Sequence, residues 1–295
     1  MTYSFISAEA YTLPINRRLF VSSAMMLATA LTSQPALADD ILSGPTHTVV
    51  SDGGFRYIPD PGSPFSKGVA ALGGHTLTRV RFRTPLPLEQ GLDYITRHLA
   101  GQGRPSSALA GLELRAPAVM SRPEFINFNE HYREMLRKRG FVIGQVVPMT
   151  RSNMVLLYNP PMTHMLSSFT YAAPSHARSA SGGTDFLLSG RPEQDGSRVI
   201  APGDVSPLGM SRKAGFVMDQ LRQSVATLGG HWSDLTGVQI YMTQPLQMVM
   251  DVMRTIGLTS VGLSLFPGSP PVIGFDGAKY EFEADIRAIS VELAI

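Results

Sequence analysis

The chain has 295 residues, of which 43% are hydrophobic and 16% are charged, enough for one large domain or two small ones. Its formal net charge is +2 and it has no long run of Lys and Arg, so nothing indicates a nucleic-acid partner. Cysteine is absent, which excludes disulfides, thiolate metal sites and a cysteine nucleophile.

The first 38 residues have the layout of an export signal. Arg17 and Arg18 form a basic segment similar to a twin-arginine signal, a weakly apolar stretch follows, and Ala36-Leu37-Ala38 provides a small-x-small cleavage site. The apolar stretch is too short and too rich in Ser and Thr for a stable membrane span. We predict a signal peptide over 1–38 and a periplasmic or exported mature protein. An uncleaved anchor or a misassigned start codon is the alternative.

The small polar segment 174–183 is predicted to be a linker that divides the mature chain into 39–173 and 184–295. In the first part, strands are predicted over 78–85 and 112–117, with two closing strands within 152–172. The helix after the first strand carries apolar residues at helical spacing, Leu88, Leu92, Ile95 and Leu99. A second helix is predicted over 121–136, with a stripe of Phe125, Phe128, Tyr132 and Leu136.

The second part follows the same order of elements. After a strand at 184–193, Ser211 is predicted to cap a helix with a buried stripe at Ala214, Val217, Leu221 and Val225. The stretch "TLGGHWSDLTGVQIYMTQPLQMVMDVM" (227–253) predicts a helix end, a turn, a strand and a second helix. The closing strand alternates between an apolar face and an acidic face that carries Glu281, Glu283 and Asp285.

This mixture of strands and helices predicts an α+β fold with helices gathered on one face of each sheet. The polar face of each sheet then needs water or another partner, and assembly of several chains is one way to cover it.

At these residues the chain resembles the Rid family of RidA/YjgF-like reactive intermediate deaminases. The stretch 227–253, "FLLSGRPE" and "ADIRAISVEL" are similar to family segments in the second part. In the first part, "SRPEFINFNEHYREML" is similar to a family helix of pattern F-x-x-x-N-x-x-Y, and "MTRSNM" to a family segment that carries an arginine.

The resemblance implies two tandem RidA-like, chorismate-mutase-like units, each a mixed sheet with two helices on one face. It also implies a homo-oligomer with ligand clefts of the trimer type between units. Its activity would be hydrolysis of enamine or imine derivatives, including amino-muconate-type molecules, to a keto compound and ammonia. Neither an organic cofactor nor a metal is implied, and the partner would be a small-molecule substrate.

Carried onto this chain, the resemblance places the carboxylate-binding arginine at Arg151, the catalytic acid at Asp285 and a substrate-orienting pair at Ser189 and Gly190. Each part therefore holds only some of these groups, and we predict a composite site between unlike halves. The alternative for Asp285 is one more charge on a polar strand face, and for Arg151 a solvated or turn-capping side chain. A catalytically inactive oligomer that binds a small ligand, and a purely structural role, also stay open.

Overall fold

The computed structural model describes residues 48–61, 63–175, 183–258 and 261–295. The predicted signal peptide 1–38 lies outside the described residues, as does most of the predicted linker, so both stay predictions. Among the described residues, no helix combines the length and the hydropathy needed to cross a bilayer.

The first half of the described chain contains the helices α1 (Leu88–Gly101) and α2 (Arg122–Lys138). The predicted stripe of α1 is buried against the sheet, and each such Leu or Ile stabilises the fold by about 1.5–3 kcal/mol. The strands are β1 (Val49–Val50), β2 (Phe55–Asp60), β3 (Ser63–Ala71), β4 (His75–Pro87), β5 (Leu109–Ala116), β6 (Thr150–Leu156) and β7 (Met165–Pro174).

The second half contains α3 (Pro207–Thr227) and α4 (Gln247–Thr255). Helix α3 buries its predicted stripe but begins one turn before Ser211, so that predicted cap is wrong. Ser206 caps the helix instead, because its Oγ accepts the N–H of Gly209 at 3.2 Å and Pro207 suits the first helical position. The strands are β8 (Phe186–Leu188), β9 (Arg191–Pro192), β10 (Gln194–Asp195), β11 (Arg198–Val199), β12 (Gly237–Met242), β13 (Gly262–Ser269), β14 (Phe282–Ala288) and β15 (Val291–Ala294).

The two halves share one sheet, so the predicted fold of two small RidA-like units is wrong. Thirteen strands form a single mixed sheet in the order β1-β2-β3-β8-β14-β12-β13-β6-β5-β7-β4-β15, with β9 also paired to β14. Strand β13 of the second half pairs with β6 of the first, β3 pairs with β8, and β15 pairs with β4. Strands exchanged in this way leave neither half with a complete sheet of its own.

The sheet is strongly curved, and its concave face holds charged side chains. Nε2 of Gln239 on β12 lies 3.3 Å from Oε2 of Glu113 on β5, although β13 and β6 lie between these strands in the sheet. In a flat sheet the two backbones would be about 14 Å apart, at about 4.8 Å per strand. Strand β15 follows β14 after two residues and pairs with β4, so the strands from β14 to β4 curl back on themselves.

This curvature buries the acidic face of β14. All seven residues of the strand are buried, including Glu283 and Asp285 on the polar side. The polar face was expected to need water or a second chain for cover, and the curled sheet of one chain supplies that cover instead. Whether several chains assemble stays a prediction.

Candidate active site

A gap in the sheet brings the two halves together at the start of β6. Strands β6 and β13 pair only through Val155 with Ser269 and Leu156 with Gly268, which leaves the first residues of β6 free on that side. Ser189, just after β8, fills this edge: its Oγ accepts the backbone N–H of Arg151 at 3.2 Å. The Ser189 hydroxyl in turn donates to the carbonyl of Ser66 at 2.8 Å. Two of the predicted site residues, one from each half, are therefore neighbours.

The guanidinium of Arg151 lies among four aromatic rings and one amide, which together we call the Arg151 cage. The rings belong to Phe65 on β3 and to Phe125, Phe128 and Tyr132 on α2, and the amide belongs to Asn129 on α2. Its central carbon is 4.4 Å from the ring centre of Phe65 and 5.1 Å from that of Tyr132. Its Nη1 donates to Oδ1 of Asn129 at 2.7 Å. Rings of this kind attract a guanidinium through their negative faces but do not neutralise its charge.

Arg151 forms no ion pair with any of the described residues, and Asn129 occupies only one of its five donors. Burial lowers the pKa of Arg151, and the nearby Tyr132 and Glu283 oppose that shift. An arginine nevertheless stays charged in proteins. The cage thus holds a partly buried cation whose remaining donors bond to none of the described residues.

Two more polar groups lie close to the Arg151 guanidinium: the hydroxyl of Tyr132, which belongs to the cage, and the imidazole of His164. Burial raises the pKa of Tyr132, whose side chain is fully buried and whose hydroxyl has no hydrogen-bond partner among the described residues. His164 stacks on Phe128 with ring centres 4.0 Å apart. Burial and the charge of Arg151 lower the pKa of His164 to about 4, so its imidazole is neutral at physiological pH.

The acid nearest to this arrangement is Glu283. Gly190 lies against its Oε1, and a Cβ at position 190 would collide with that oxygen, so the missing side chain makes room for the carboxyl. The Glu283 side chain is buried and hydrogen-bonds to none of the described residues. Burial raises the pKa of Glu283 well above its ordinary value, Asp285 and Glu193 raise it further, and Arg151 opposes them. These surroundings favour the protonated, neutral form of Glu283.

Asp285 points into a different cluster, which we call the interior network: Arg79, Glu113, Gln239, Tyr241 and Asp285. The hydroxyl of Tyr241 donates to Oδ2 of Asp285, and Nε2 of Gln239 donates to Oδ1 at 3.1 Å. Arg79 forms a two-pronged ion pair with Glu113, with Nε–Oε1 at 2.6 Å and Nη2–Oε2 at 2.9 Å. Burial alone would raise the pKa of Glu113, but the charge of Arg79 holds it well below its ordinary value.

A third cluster fixes the start of β14. The carboxylate of Glu193 accepts the backbone N–H groups of Glu281 at 2.6 Å and Phe282 at 3.2 Å. Nζ of Lys213, on α3, lies 2.5 Å from Oε2 of Glu281 and 3.6 Å from Oε1 of Glu193. Both Lys213 and Glu193 are fully buried. Burial raises the pKa of Glu193 to about 7.

The structure thus gathers Arg151, Ser189 and Gly190 but places Glu283, rather than Asp285, beside them. Glu283 was interpreted from the sequence only as a neighbouring charge. Alternation along the strand puts both acids on one face and does not show which of them meets Gly190. Within the described ranges, no group of three or more His, Asp or Glu side chains is placed to hold a metal ion. A guanidinium without an ion pair can bind an anion, and a buried carboxyl with a raised pKa can donate a proton to that ligand.

The chain matches known proteins over most of its length. A family model described as 2-aminomuconate deaminase CnbZ matches residues 47–293. A protein of Comamonas testosteroni named 2-amino-5-chloromuconate deaminase is 34% identical over 250 residues, covering 82% of this chain and 96% of that protein.

Solved structures give weaker likenesses. A chorismatase crystal structure is 13% identical and covers 80% of this chain and 78% of its own, with a TM-score of 0.41. A crystal structure of E. coli TdcF with bound serine is 13% identical. The match covers 37% of this chain and 82% of the TdcF chain, with a TM-score of 0.27. Neither supports an inference about this chain. The family model and the Comamonas protein do, and the chain belongs to the 2-aminomuconate deaminase CnbZ family.

Proposed function

We propose that this protein is a deaminase that hydrolyses aminomuconate-type enamines to the corresponding keto acid and ammonia. Family membership supports the class of reaction, and the relative's name supports the class of substrate. The structural observation that carries the proposal is the cation of Arg151, unpaired among the described residues, close to the buried carboxyl of Glu283 that lies against Gly190.

Arg151 binds the substrate carboxylate next to the amino group. The planar fork of a guanidinium matches two carboxylate oxygens, and the aromatic cage excludes water that would weaken this pair. The hydrogen bond to Asn129 and the surrounding rings hold the guanidinium in place before the substrate arrives.

Glu283 supplies the proton that an enamine needs. Hydrolysis requires protonation of the enamine carbon, which turns the C–N bond into an iminium that water can attack. A buried carboxyl whose pKa is raised holds its proton more tightly than an exposed one and is suited to donate it to the substrate. The Glu283 carboxylate that remains stabilises the positive charge of the iminium. The guanidinium of Arg151 in turn stabilises this carboxylate.

The second half of the reaction returns the proton. Water attacks the iminium carbon, and Glu283 accepts a proton from it as a general base. The resulting carbinolamine loses ammonia and leaves a carbonyl group, so that one water is consumed and one ammonia released. No redox partner enters this balance.

The test is ammonia release from 2-aminomuconate prepared immediately before use, measured against the rate in buffer alone. The proposal predicts ammonia in equal amount to the substrate lost, at a rate proportional to the protein added. Binding of muconate without any ammonia above the buffer rate would reject the deaminase and favour a ligand-binding protein.

A further inference from the structure

Aminomuconates carry two carboxylates, and Arg151 accounts for one of them. The second lies at the far end of a six-carbon chain, so a site that selects such molecules needs a second cation at a matching distance. Given the proposed function, on which this inference rests, the first residue of α2 is the cation that meets this need.

Arg122 is a cation without an anionic partner. Its guanidinium carbon lies 3.5 Å from the ring centre of Phe275, and it forms neither a hydrogen bond nor an ion pair within the described part of the chain. Phe275 is 57% exposed, so this stacked pair borders solvent. The arrangement repeats that of Arg151: an arginine held by an aromatic face with its donors free.

The position of Arg122 does not stabilise the helix. The N-terminus of a helix carries a partial positive charge, so a cation there costs about 0.3–1 kcal/mol, whereas an anion is favoured. Ser121 and Glu124 already form the capping box, with the backbone N–H of Ser121 donating to Glu124 at 2.7 Å. Capping therefore gives no reason for an arginine at 122.

Contacts connect Arg122 with the proposed active site. Phe125, one turn along α2, borders the guanidinium of Arg151 at 5.6 Å and packs with Tyr280 in one apolar cluster. Burial raises the pKa of Tyr280 to about 12. The charge of Arg122 lowers this pKa and that of Glu283 raises it, so both groups lie within electrostatic range of the Tyr280 hydroxyl. Arg122, Phe125 and Tyr280 thus lie along one wall that ends at Arg151 and Glu283.

The spacing suits a six-carbon dicarboxylate. Arg122 and Asn129, which holds Arg151, are seven residues apart on α2, a rise of about 10 Å. Five carbon–carbon bonds span about 6 Å when extended, and an ion pair at each end adds a few ångströms.

We infer that Arg122 binds the second carboxylate of the substrate and makes the site selective for dicarboxylates over monocarboxylates. Arg151 then receives the carboxylate beside the amino group, and the carbon chain lies along Phe125 and Tyr280. Arg122 contacts the substrate far from the reacting carbon, so it determines specificity and takes no part in proton transfer.

The test compares two unreactive ligands by calorimetry: muconate, and sorbate, in which a methyl group replaces one carboxylate. Wild-type protein should prefer muconate, and Arg122→Met should weaken muconate binding about 10- to 100-fold, the loss of one charge-assisted pair. Sorbate binding should stay within about twofold of wild type. Arg254→Met, at an exposed arginine of α4, is the matched control and should change neither affinity.

Equal muconate affinity in Arg122→Met and wild type would overturn the inference, as would equal losses for both ligands. A wild-type protein that binds neither ligand, or binds sorbate as tightly as muconate, would overturn it too. These binding results do not depend on turnover. Absence of ammonia release therefore rejects the deaminase proposal, while the preference for muconate still tests Arg122.

Discussion

The interior network and the Arg151 cage both bury charge in this protein, but they differ in how that charge is paired. In the interior network, Arg79 and Glu113 form a two-pronged ion pair, and Asp285 accepts hydrogen bonds from Tyr241 and Gln239. In the cage, Arg151 meets aromatic rings and one amide oxygen. Paired charges hold strands together, whereas a partly buried charge left without an ion pair is a candidate for binding a ligand.

The largest expected effect is the loss of activity when the guanidinium of Arg151 is removed. Arg151→Met should lower kcat/KM for 2-aminomuconate about 10²- to 10⁴-fold, because two charge-assisted hydrogen bonds of about 1.5–3 kcal/mol each are lost. The free energy of unfolding should fall by only about 1–2 kcal/mol, since the hydrogen bond to Asn129 and the ring contacts are lost but no ion pair is broken. Urea unfolding and ammonia release measure the two quantities on one preparation, and Arg254→Met should leave both at wild-type values. A large loss of stability in Arg151→Met would show that the cage is structural.

The converse is expected in the interior network. Arg79→Met leaves the buried Glu113 without its cation and should lower the free energy of unfolding by about 3–5 kcal/mol. Replacing both residues, in Arg79→Met with Glu113→Leu, should recover most of this loss because no charge then remains uncompensated. Urea titration of the single and double variants measures both changes in the free energy of unfolding. A loss below about 1 kcal/mol in Arg79→Met would contradict the stabilising role of the ion pair between Arg79 and Glu113.

Glu193 should make stability depend on pH. Its pKa is about 7 in the folded protein and lower in the unfolded chain, so the folded state binds the proton more tightly. The free energy of unfolding therefore falls as pH rises from about 4.5 to 7, by about 3 kcal/mol through this group. Glu193→Gln removes that fall, and the stability of the variant relative to wild type should increase over this range. Parallel pH curves for the two proteins would refute it.

The smallest effect is expected at Ser189. Ser189→Ala removes the acceptor for the backbone N–H of Arg151, which should cost about 1 kcal/mol of stability. Activity should fall by about tenfold or less, because the strand edge that carries Arg151 is loosened while the guanidinium remains. Ser197→Ala, at an exposed position between β10 and β11, is the control and should match wild type in both measurements.

Local features of the fold could be predicted from the sequence. The stripes of α1 and α3 are buried as their spacing indicates, because a helix face depends on residues three and four apart. The single sheet could not be predicted, since the pairing of β13 with β6 joins residues over one hundred positions apart. Periodicity specifies which face of a strand is buried, but it does not specify the neighbouring strand.

The candidate site could be predicted only in part, because the sequence does not specify which strands are neighbours. Arg151, Ser189 and Gly190 were named from their resemblance to family segments, and the structure places them together. The stripe of Phe125, Phe128 and Tyr132 was predicted from its helical spacing, and Asn129 entered only as part of the resemblance to a family helix. Neither pattern indicated that these side chains surround Arg151. Glu283 could be identified only from its contact with Gly190, which depends on how β9 meets β14.

The most direct test of the central claim compares the two acids of β14. Ammonia release from 2-aminomuconate should fall at least about 10²-fold in Glu283→Gln, because its amide cannot donate the proton to carbon. Asp285→Asn should stay within about tenfold of wild type wherever its thermal midpoint shows a folded protein, since Asp285 belongs to the interior network. Near-normal turnover in Glu283→Gln together with a loss in folded Asp285→Asn would contradict the account.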